Sequence, residues 1–259
     1  MKKLLLLSAS IVWCMTTAHA QEYKTKLANA KDRKVTIEMS AGDIKIEGHN
    51  SDEVIIQAAS GFEAPPERAK GLKPLYYSAV DNSGIGLAVT QESGGLRIEK
   101  ATRKAVKYTV RLPRKVAILF EQTNWQGSGI TISNMDGDLE VRTNNAQIDL
   151  MNVTGPVVAN TTSGEIKVVF SALSQEKPTA ISTISGPIDI TLPASSKANM
   201  QLRSISGEMY TDFDLGTKST KDGMSKVGGG QNIEGTTNGG GVEMQLKTIS
   251  SNIYIRKQK

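Results

Sequence analysis

One cysteine, two histidines and two tryptophans in 259 residues leave this chain few of the groups that cross-link or catalyse. Most of those few fall at the start: Trp13, Cys14 and His19 all precede Gln21. The opening segment has Lys2-Lys3, an apolar run from Leu4 to about Met15, then Ala18-His19-Ala20. This is the three-part layout of a secretory signal, with cleavage expected between Ala20 and Gln21. The apolar run falls short of the roughly 20 residues that span a bilayer, and Trp13 stands where a lipoprotein signal would put a small residue before Cys14. No transmembrane segment is expected after signal removal. Residues 21–259 then have no cysteine, which excludes a disulfide framework, a thiol nucleophile and a Cys-ligated zinc site.

Charge of one sign is also scarce. Removing Lys2 and Lys3 lowers the basic count from 31 to 29 against 26 acids, a net charge of +3. The one concentration runs from Lys100 to Lys115, with seven Lys or Arg and no acid. Within it, Val106, Tyr108, Val110 and Leu112 alternate with Lys107, Thr109 and Arg111, as in a half-buried strand with a solvated basic face. An electrostatic contact with an anionic envelope polymer or phospholipid surface is the sharper reading. Nucleic acid is not expected as a partner, because the stretch carries no recognition motif.

Long helical periodicity is missing, and strand signals dominate after Lys31. Val35, Ile37 and Met39, then Ile44 and Ile46, then Val54 and Ile56 mark three short strands separated by turn residues. Residues 61–84 contain three prolines and are expected to be irregular, with one helical turn. From Ser128 the chain repeats a nine-residue phrase, with block starts at Ser128, Gly137, Ala146, Gly155 and Gly164. Third positions are Ile130, Leu139, Ile148, Val157 and Ile166; fifth positions are Ile132, Val141, Leu150, Ala159 and Val168. Side chains two apart on a strand share a face, so these point inward while Asp138, Glu140, Gln147, Asp149, Glu165 and Lys167 point out.

Seventh positions alternate Asn134, Thr143, Asn152, Thr161, and eighth positions alternate Met135, Asn144, Val153, Thr162. Alternate blocks therefore match, which predicts an eighteen-residue coil with Asn over Asn, Thr over Thr and Met over Val. An antiparallel meander of nine-residue hairpins is the alternative, and it would not require alternate blocks to match. Later phrases open at Gly186 and Gly207, steps of 22 and 21, and 214–235 reads as a Gly-rich loop insertion. The expected fold is all-β: a single-chain parallel β-solenoid, right-handed and β-helix-like, with coils of about 18–22 residues and a single domain over 21–259.

"GDIKIEG", "SDEVIIQA", "VKYTVRLPRKV", the Gly-phased repeat, "TTNGGGVEMQL" and "TISSNIYIRK", in that order, resemble the putative-adhesin family of bacterial exported β-solenoid proteins. The likeness covers about residues 34–60 and 104–257, with Ala146 and Ser251 where that family favours Gly. It implies a β-solenoid in the cell envelope and transfers no catalytic residue.

Chemistry on this scaffold is sparse. Asp136, Asp138 and Glu140 form the best acidic cluster, but Asp136-Gly137 is ordinary turn chemistry and the other two are outward strand positions. The calcium-binding nonapeptide also steps by nine, yet its Gly-Gly-x-Gly-x-Asp turn is absent. His49 sits in the turn "GHNSD" and reads as a turn residue; no nucleophile-elbow motif supports a triad that uses it. Trp125, Tyr76, Tyr77 and Tyr254 are too far apart in sequence to make a sugar-stacking platform. No catalytic, metal or cofactor residue is assigned. The expected role is a non-catalytic exported module, adhesin-like or in contact with the envelope, taking an anionic polymer, a glycan or a surface protein, with any binding surface on the outward positions or the 214–235 loop. A polysaccharide-degrading β-helix enzyme and a periplasmic regulatory or sensory partner in envelope stress are the alternatives. The expected location is periplasmic, cell-surface or secreted.

Overall fold

The computed structural model describes residues 21–27, 33–40, 42–59, 66–72, 75, 79–122, 124–125, 128–216 and 231–259. Residues 1–20, read above as a secretory signal, and Tyr76 and Tyr77 lie outside the described residues. The strands run in chain order as β1 (Gln21–Lys26), β2 (Lys34–Met39), β3 (Ile44–His49), β4 (Glu53–Ala58), β5 (Leu87–Glu92), β6 (Gly95–Lys100), β7 (Tyr108–Pro113), β8 (Ala117–Gln122), β9 (Ile130–Ser133), β10 (Leu139–Thr143), β11 (Ile148–Val153), β12 (Val157–Ser163), β13 (Ile166–Phe170), β14 (Thr179–Ser185), β15 (Ile188–Leu192), β16 (Ala198–Ser204), β17 (Met209–Thr211), β18 (Gln231–Thr237), β19 (Val242–Thr248) and β20 (Ile253–Lys257). The helical turn expected in the proline-rich segment is a 3-10 turn at Glu67–Ala69.

Two ten-stranded sheets face each other, and most of their pairings are parallel. The first is ordered β1-β4-β7-β3-β9-β11-β13-β15-β20-β17, the second β18-β16-β19-β14-β12-β10-β8-β2-β6-β5. Each coil contributes one strand to each sheet, which makes the architecture solenoid-like. At about 4.8 Å per coil the stack is roughly 40 Å long. Alternation along the strands follows the sequence: β10 is buried at Leu139, Val141 and Thr143 and turns Glu140 and Arg142 outward. One continuous apolar cluster runs from Leu27 to Ile255 between the sheets.

The repeat has the predicted register. Ile148 lies over Ile130 and under Ile166 in the first sheet, and Leu139 pairs with Val157 in the second, each a step of 18 residues. The longer step of 22 brings Ile188 onto Ile166. Parallel pairing of alternate blocks removes the meander alternative. Asn134 and Asn152 both adopt left-handed backbone, with φ of 59° and 57°, and the Asn152 amide donates to Asn134 Oδ1 at 2.6 Å. Asn tolerates this region because its short polar side chain bonds locally, so the asparagine column caps the bend at the coil edge. Met135 and Val153 are both fully buried, and Thr161 stacks in register with Thr183 inside the second sheet.

The glycine phase has a steric cause. A Cβ on Gly155 would lie 2.1 Å from the Gly137 carbonyl oxygen, and one on Gly186 would lie 2.0 Å from the Gly164 oxygen. Backbone lies against backbone at this corner, and only a residue without a side chain fits. Gly155→Ala is expected to cost about 2–3 kcal/mol through overpacking. Gly129→Ala, whose Cβ meets nothing within 4 Å, is expected to stay within about 0.5 kcal/mol. Denaturant midpoints of the two variants check this, and equal midpoints would refute the backbone-contact explanation.

Coil order departs from chain order near both ends. The phrase at Gly207 does not stack on the one at Gly186: β20 pairs with β15, β19 pairs with β14, and β16-β17 lies outside them. The coil made last in sequence is therefore the second from the end in space. Five register pairs from Ile188↔Ile253 to Leu192↔Lys257, with Arg256 against Asp189, give β20 a longer match to β15 than the three residues of β17 would. β17 has Met209 half-buried and Tyr210 and Thr211 exposed, which suits an end strand. The same inversion occurs near the other end, where β2-β3 is inserted between β6-β7 and β8-β9. The ends are closed by antiparallel strands: β18 on β16, β5 on β6, and β4 with β1 on β7. Part of the segment read as a loop insertion is thus strand, from Gln231 onward.

Candidate functional site

The acids singled out in sequence are each tied down separately. Asp136 receives Arg114 through Nε at 3.0 Å and Nη2 at 3.3 Å, and the Thr154 hydroxyl at 3.2 Å. Asp138 accepts from Lys177 Nζ at 2.6 Å, and Glu140 pairs with Arg142, which also reaches Glu121 at 3.0 Å. The pairs of Asp136 with Arg114, Asp138 with Lys177 and Glu121 with Arg142 are cross-coil staples, while Glu140 meets Arg142 within strand β10. Among the described residues no three His, Cys, Asp or Glu converge as a metal would require.

His49 is committed to its own turn. Ser51 N–H donates to Nδ1 at 3.3 Å, so Nε2 carries the proton and donates to the Glu53 carbonyl at 2.8 Å. Both ring nitrogens shape the bend from β3 to β4. Beside it, a cleft of about 360 Å³ is lined by Arg33, His49, Asp52, Arg114, Lys115 and Asp136 among others. Two of its three cations already have carboxylate partners, Arg33 with Asp52 and Arg114 with Asp136.

The basic stretch behaves as a solvated strand face. Lys107 pairs with Asp43 at 3.0 Å and Arg111 with Glu47 at 3.4 Å. Burial of Lys100 pushes its ammonium below the ordinary lysine range. Glu47 is held below the usual carboxylate range by its hydrogen bond to Lys45, with burial opposing and Arg111 adding to the effect; Asp43 is lowered first by Lys107. A carboxyl depressed in the folded state contributes stability above its unfolded value, about 4, and loses it as pH falls. Unfolding midpoints are therefore expected to drop between about pH 5 and pH 3, modestly because both groups are partly exposed. Glu47→Gln should flatten that slope, and an unchanged slope would show that the pairing contributes nothing.

One group of aromatic and planar polar side chains among the described residues was hidden by sequence spacing. Tyr254 on β20 and Tyr210 on β17 stack at 5.4 Å between ring centroids with an 8° interplanar angle. They are neighbours only because the late coil slips inside the earlier one, in the pairing Tyr210↔Tyr254. Arg256 lies 5.4 Å over the Tyr254 ring and binds Asp189 with two nitrogens, at 3.0 and 3.1 Å. Asn252 donates to the Tyr254 hydroxyl at 3.0 Å, and the Tyr210 hydroxyl donates to Glu208, which raises the Tyr210 phenol above its ordinary value. Tyr210 remains 49% exposed, so part of the stacked pair faces outward from the end of the sheet. Trp125 is exposed on a different coil, where its carbonyl accepts from Asn145.

This architecture coincides with a family assignment. The profile of the Toastrack DUF4097 family matches residues 19–256. The chain belongs to that family. The assignment agrees with the resemblance to putative adhesins carried by the order of the sequence motifs. Two solved structures are similar in shape to this Toastrack chain. A putative cell adhesion protein from Clostridium sporogenes has 11% identity and a TM-score of 0.42, with 93% of this chain and 100% of that one covered. A putative adhesin from Bacteroides fragilis has 12% identity and a TM-score of 0.43, covering 93% and 98%. No curated protein matches the chain. In this Toastrack protein no helix among the described residues is long and apolar enough to cross a membrane.

Proposed function

We propose that this chain is a non-catalytic, exported module of the adhesin type, a single right-handed solenoid domain that presents its outward faces to partners in the cell envelope. The observation that carries this reading is the fate of the outward carboxylates. Asp136, Asp138 and Asp189 are each spent on a cross-coil Arg or Lys, and Glu140 on Arg142 of its own strand, so they stiffen a surface instead of assembling an acid and a base. A rigid rod with flat, regular faces suits recognition. The open Tyr210 face with Arg256, Asn252 and Glu208 around it is the surface where a glycan or a surface protein would make contact. Export through the segment ending at Ala20 puts the module in the periplasm, on the surface or outside the cell.

A panel of envelope glycans and isolated envelope proteins, probed with the exported protein, tests this. Binding is expected to fall at least fivefold in Tyr210→Ala, while Trp125→Ala leaves it unchanged. Turnover of a polysaccharide that is abolished by Asp138→Asn or Glu140→Gln would overturn the non-catalytic reading in favour of a degrading β-helix enzyme.

A further inference from the structure

The last three coils carry a feature that the adhesin-type reading does not use. The phrases Thr183-Ile184-Ser185, Thr248-Ile249-Ser250 and Ser204-Ile205-Ser206 end β14, β19 and β16, which are consecutive strands in the second sheet. Their first residues are buried together, at 4%, 2% and 0% exposure. The isoleucines that follow turn outward at the corner, 48%, 42% and 42% exposed. Ser250 N–H donates to the Ile184 carbonyl at 3.0 Å and Ser206 N–H to the Ile249 carbonyl at 2.9 Å, which fixes the three isoleucines in a line along the rod. The two preceding coils place Asn144 and Thr162 at the same position. A corner that accepts polar residues has thus been made apolar three times running.

The residues just before this line are cationic. Arg203 and Lys247 are directly opposite each other on β16 and β19, and both are exposed. Like charges in that relation repel. Elsewhere on these sheets cations meet acids across the strands, as in Arg142 with Glu121, Arg97 with Glu38, and Arg256 with Asp189. Arg203 and Lys247 have no acidic partner among the described residues. Their other in-register neighbours are Asn232 and Ser182.

We infer that this corner is a contact for an anionic lipid surface, with Ile184, Ile249 and Ile205 dipping into the boundary between headgroups and acyl chains and Arg203 and Lys247 against lipid phosphates. Aliphatic tips in a row offer a sugar neither a ring to stack on nor a hydrogen bond. Three side chains also fall far short of the roughly 800 Å² per partner of a stable protein interface. A line of apolar residues beside a cationic pair is the composition of a shallow interfacial anchor. The inference rests on the envelope reading only for the protein's location, and it makes the tyrosine face and the isoleucine corner separate surfaces.

Co-sedimentation with vesicles of phosphatidylcholine alone, and with a third of it replaced by phosphatidylglycerol, tests the inference on the exported protein. Binding is expected to the anionic vesicles only, and to weaken as salt is raised. Lys247→Gln and Arg203→Gln should each lower it about fivefold, the equivalent of the ~1 kcal/mol that one basic residue contributes at such a surface. Ile249→Ser should lower it roughly fivefold to tenfold, and Tyr210→Ala should leave it unchanged. All four positions are exposed, and unaltered melting curves would show that the variants are folded. Equal binding to both vesicle types, no binding to either, or a dimer dissolved by Ile249→Ser in the absence of lipid would overturn the assignment. These vesicles contain no glycan or protein, so failure here leaves the adhesin-type reading intact. Failure of the glycan and protein panel with vesicle binding retained would reject that reading alone.

Discussion

Ending the chain at Asn238 is expected to abolish folding, whereas deleting Gln21–Lys26 from the other end is expected to lower the melting temperature by only a few degrees. In an ordinary solenoid the two truncations would be alike, because each removes a terminal unit that touches one neighbour. Here the first removes β19 and β20, which lie between β14-β15 and β16-β17. Met244, Leu246, Ile253 and Ile255 are at most 1% exposed. At about 1.5–3 kcal/mol for each buried side chain, their loss amounts to roughly 6–12 kcal/mol, against a typical total stability of about 5–15 kcal/mol. It also strips the cover from Ile181, Ile188 and Met200. By contrast β1 is an edge strand whose residues are all exposed or half-exposed, and a loss of about 1–2 kcal/mol there moves the melting point by only several degrees in a chain of this size. Circular dichroism melts of the two truncated proteins decide the matter. A shortened protein ending at Asn238 that melts cooperatively near the full chain's temperature would mean that the terminal coil is not an interior one.

The second large effect is expected from Ile166→Asp. Ile166 is fully buried on β13, in register between Ile148 and Ile188. The substitution deletes an aliphatic side chain worth about 2–5 kcal/mol in a packed core and puts a carboxyl among neighbours that cannot hydrogen-bond to it. A cost of at least ~4 kcal/mol is expected. Asp149, one residue beyond the neighbouring Ile148, points outward and accepts from the Gln147 amide at 2.9 Å. Asp149→Ala is expected to stay within about 0.5 kcal/mol. Chemical denaturation gives both values, and similar midpoints for the two variants would refute the assignment of inward and outward faces.

Much of the coil was legible because its determinants are local and repeated. Third and fifth positions had to face one way, and the alternation of Asn134, Thr143, Asn152 and Thr161 separated an eighteen-residue unit from a nine-residue one. The Asn152–Asn134 hydrogen bond is the physical form of that alternation. The order of the coils was not legible. Strand phrases at 186, 207 and 253 are nearly interchangeable in apolar pattern, and what ranks them is pairwise: Arg256 against Asp189, and the length of ladder that β20 offers β15. The aromatic pair was missed for the same reason. Tyr210 and Tyr254 are 44 residues apart and meet only through that pairing. The isoleucine corner left a visible trace in the recurring Thr-Ile-Ser and Ser-Ile-Ser phrases, but alternation alone reads such an isoleucine as one more strand residue.

The inverted coil order also sets a schedule for the polypeptide as it is made or threaded across a membrane. Residues 198–211 emerge before 242–257 but cannot take their final seat, because β19 and β20, the strands they pair with, do not yet exist. Likewise β2 and β3 wait for residues 95–133 before both of their flanks are covered. A chain built this way completes its first coils half-way through synthesis and its last ones only when the late segment arrives. On the exported reading proposed above, that delay would leave the last coils open to threading until the end of the chain has crossed.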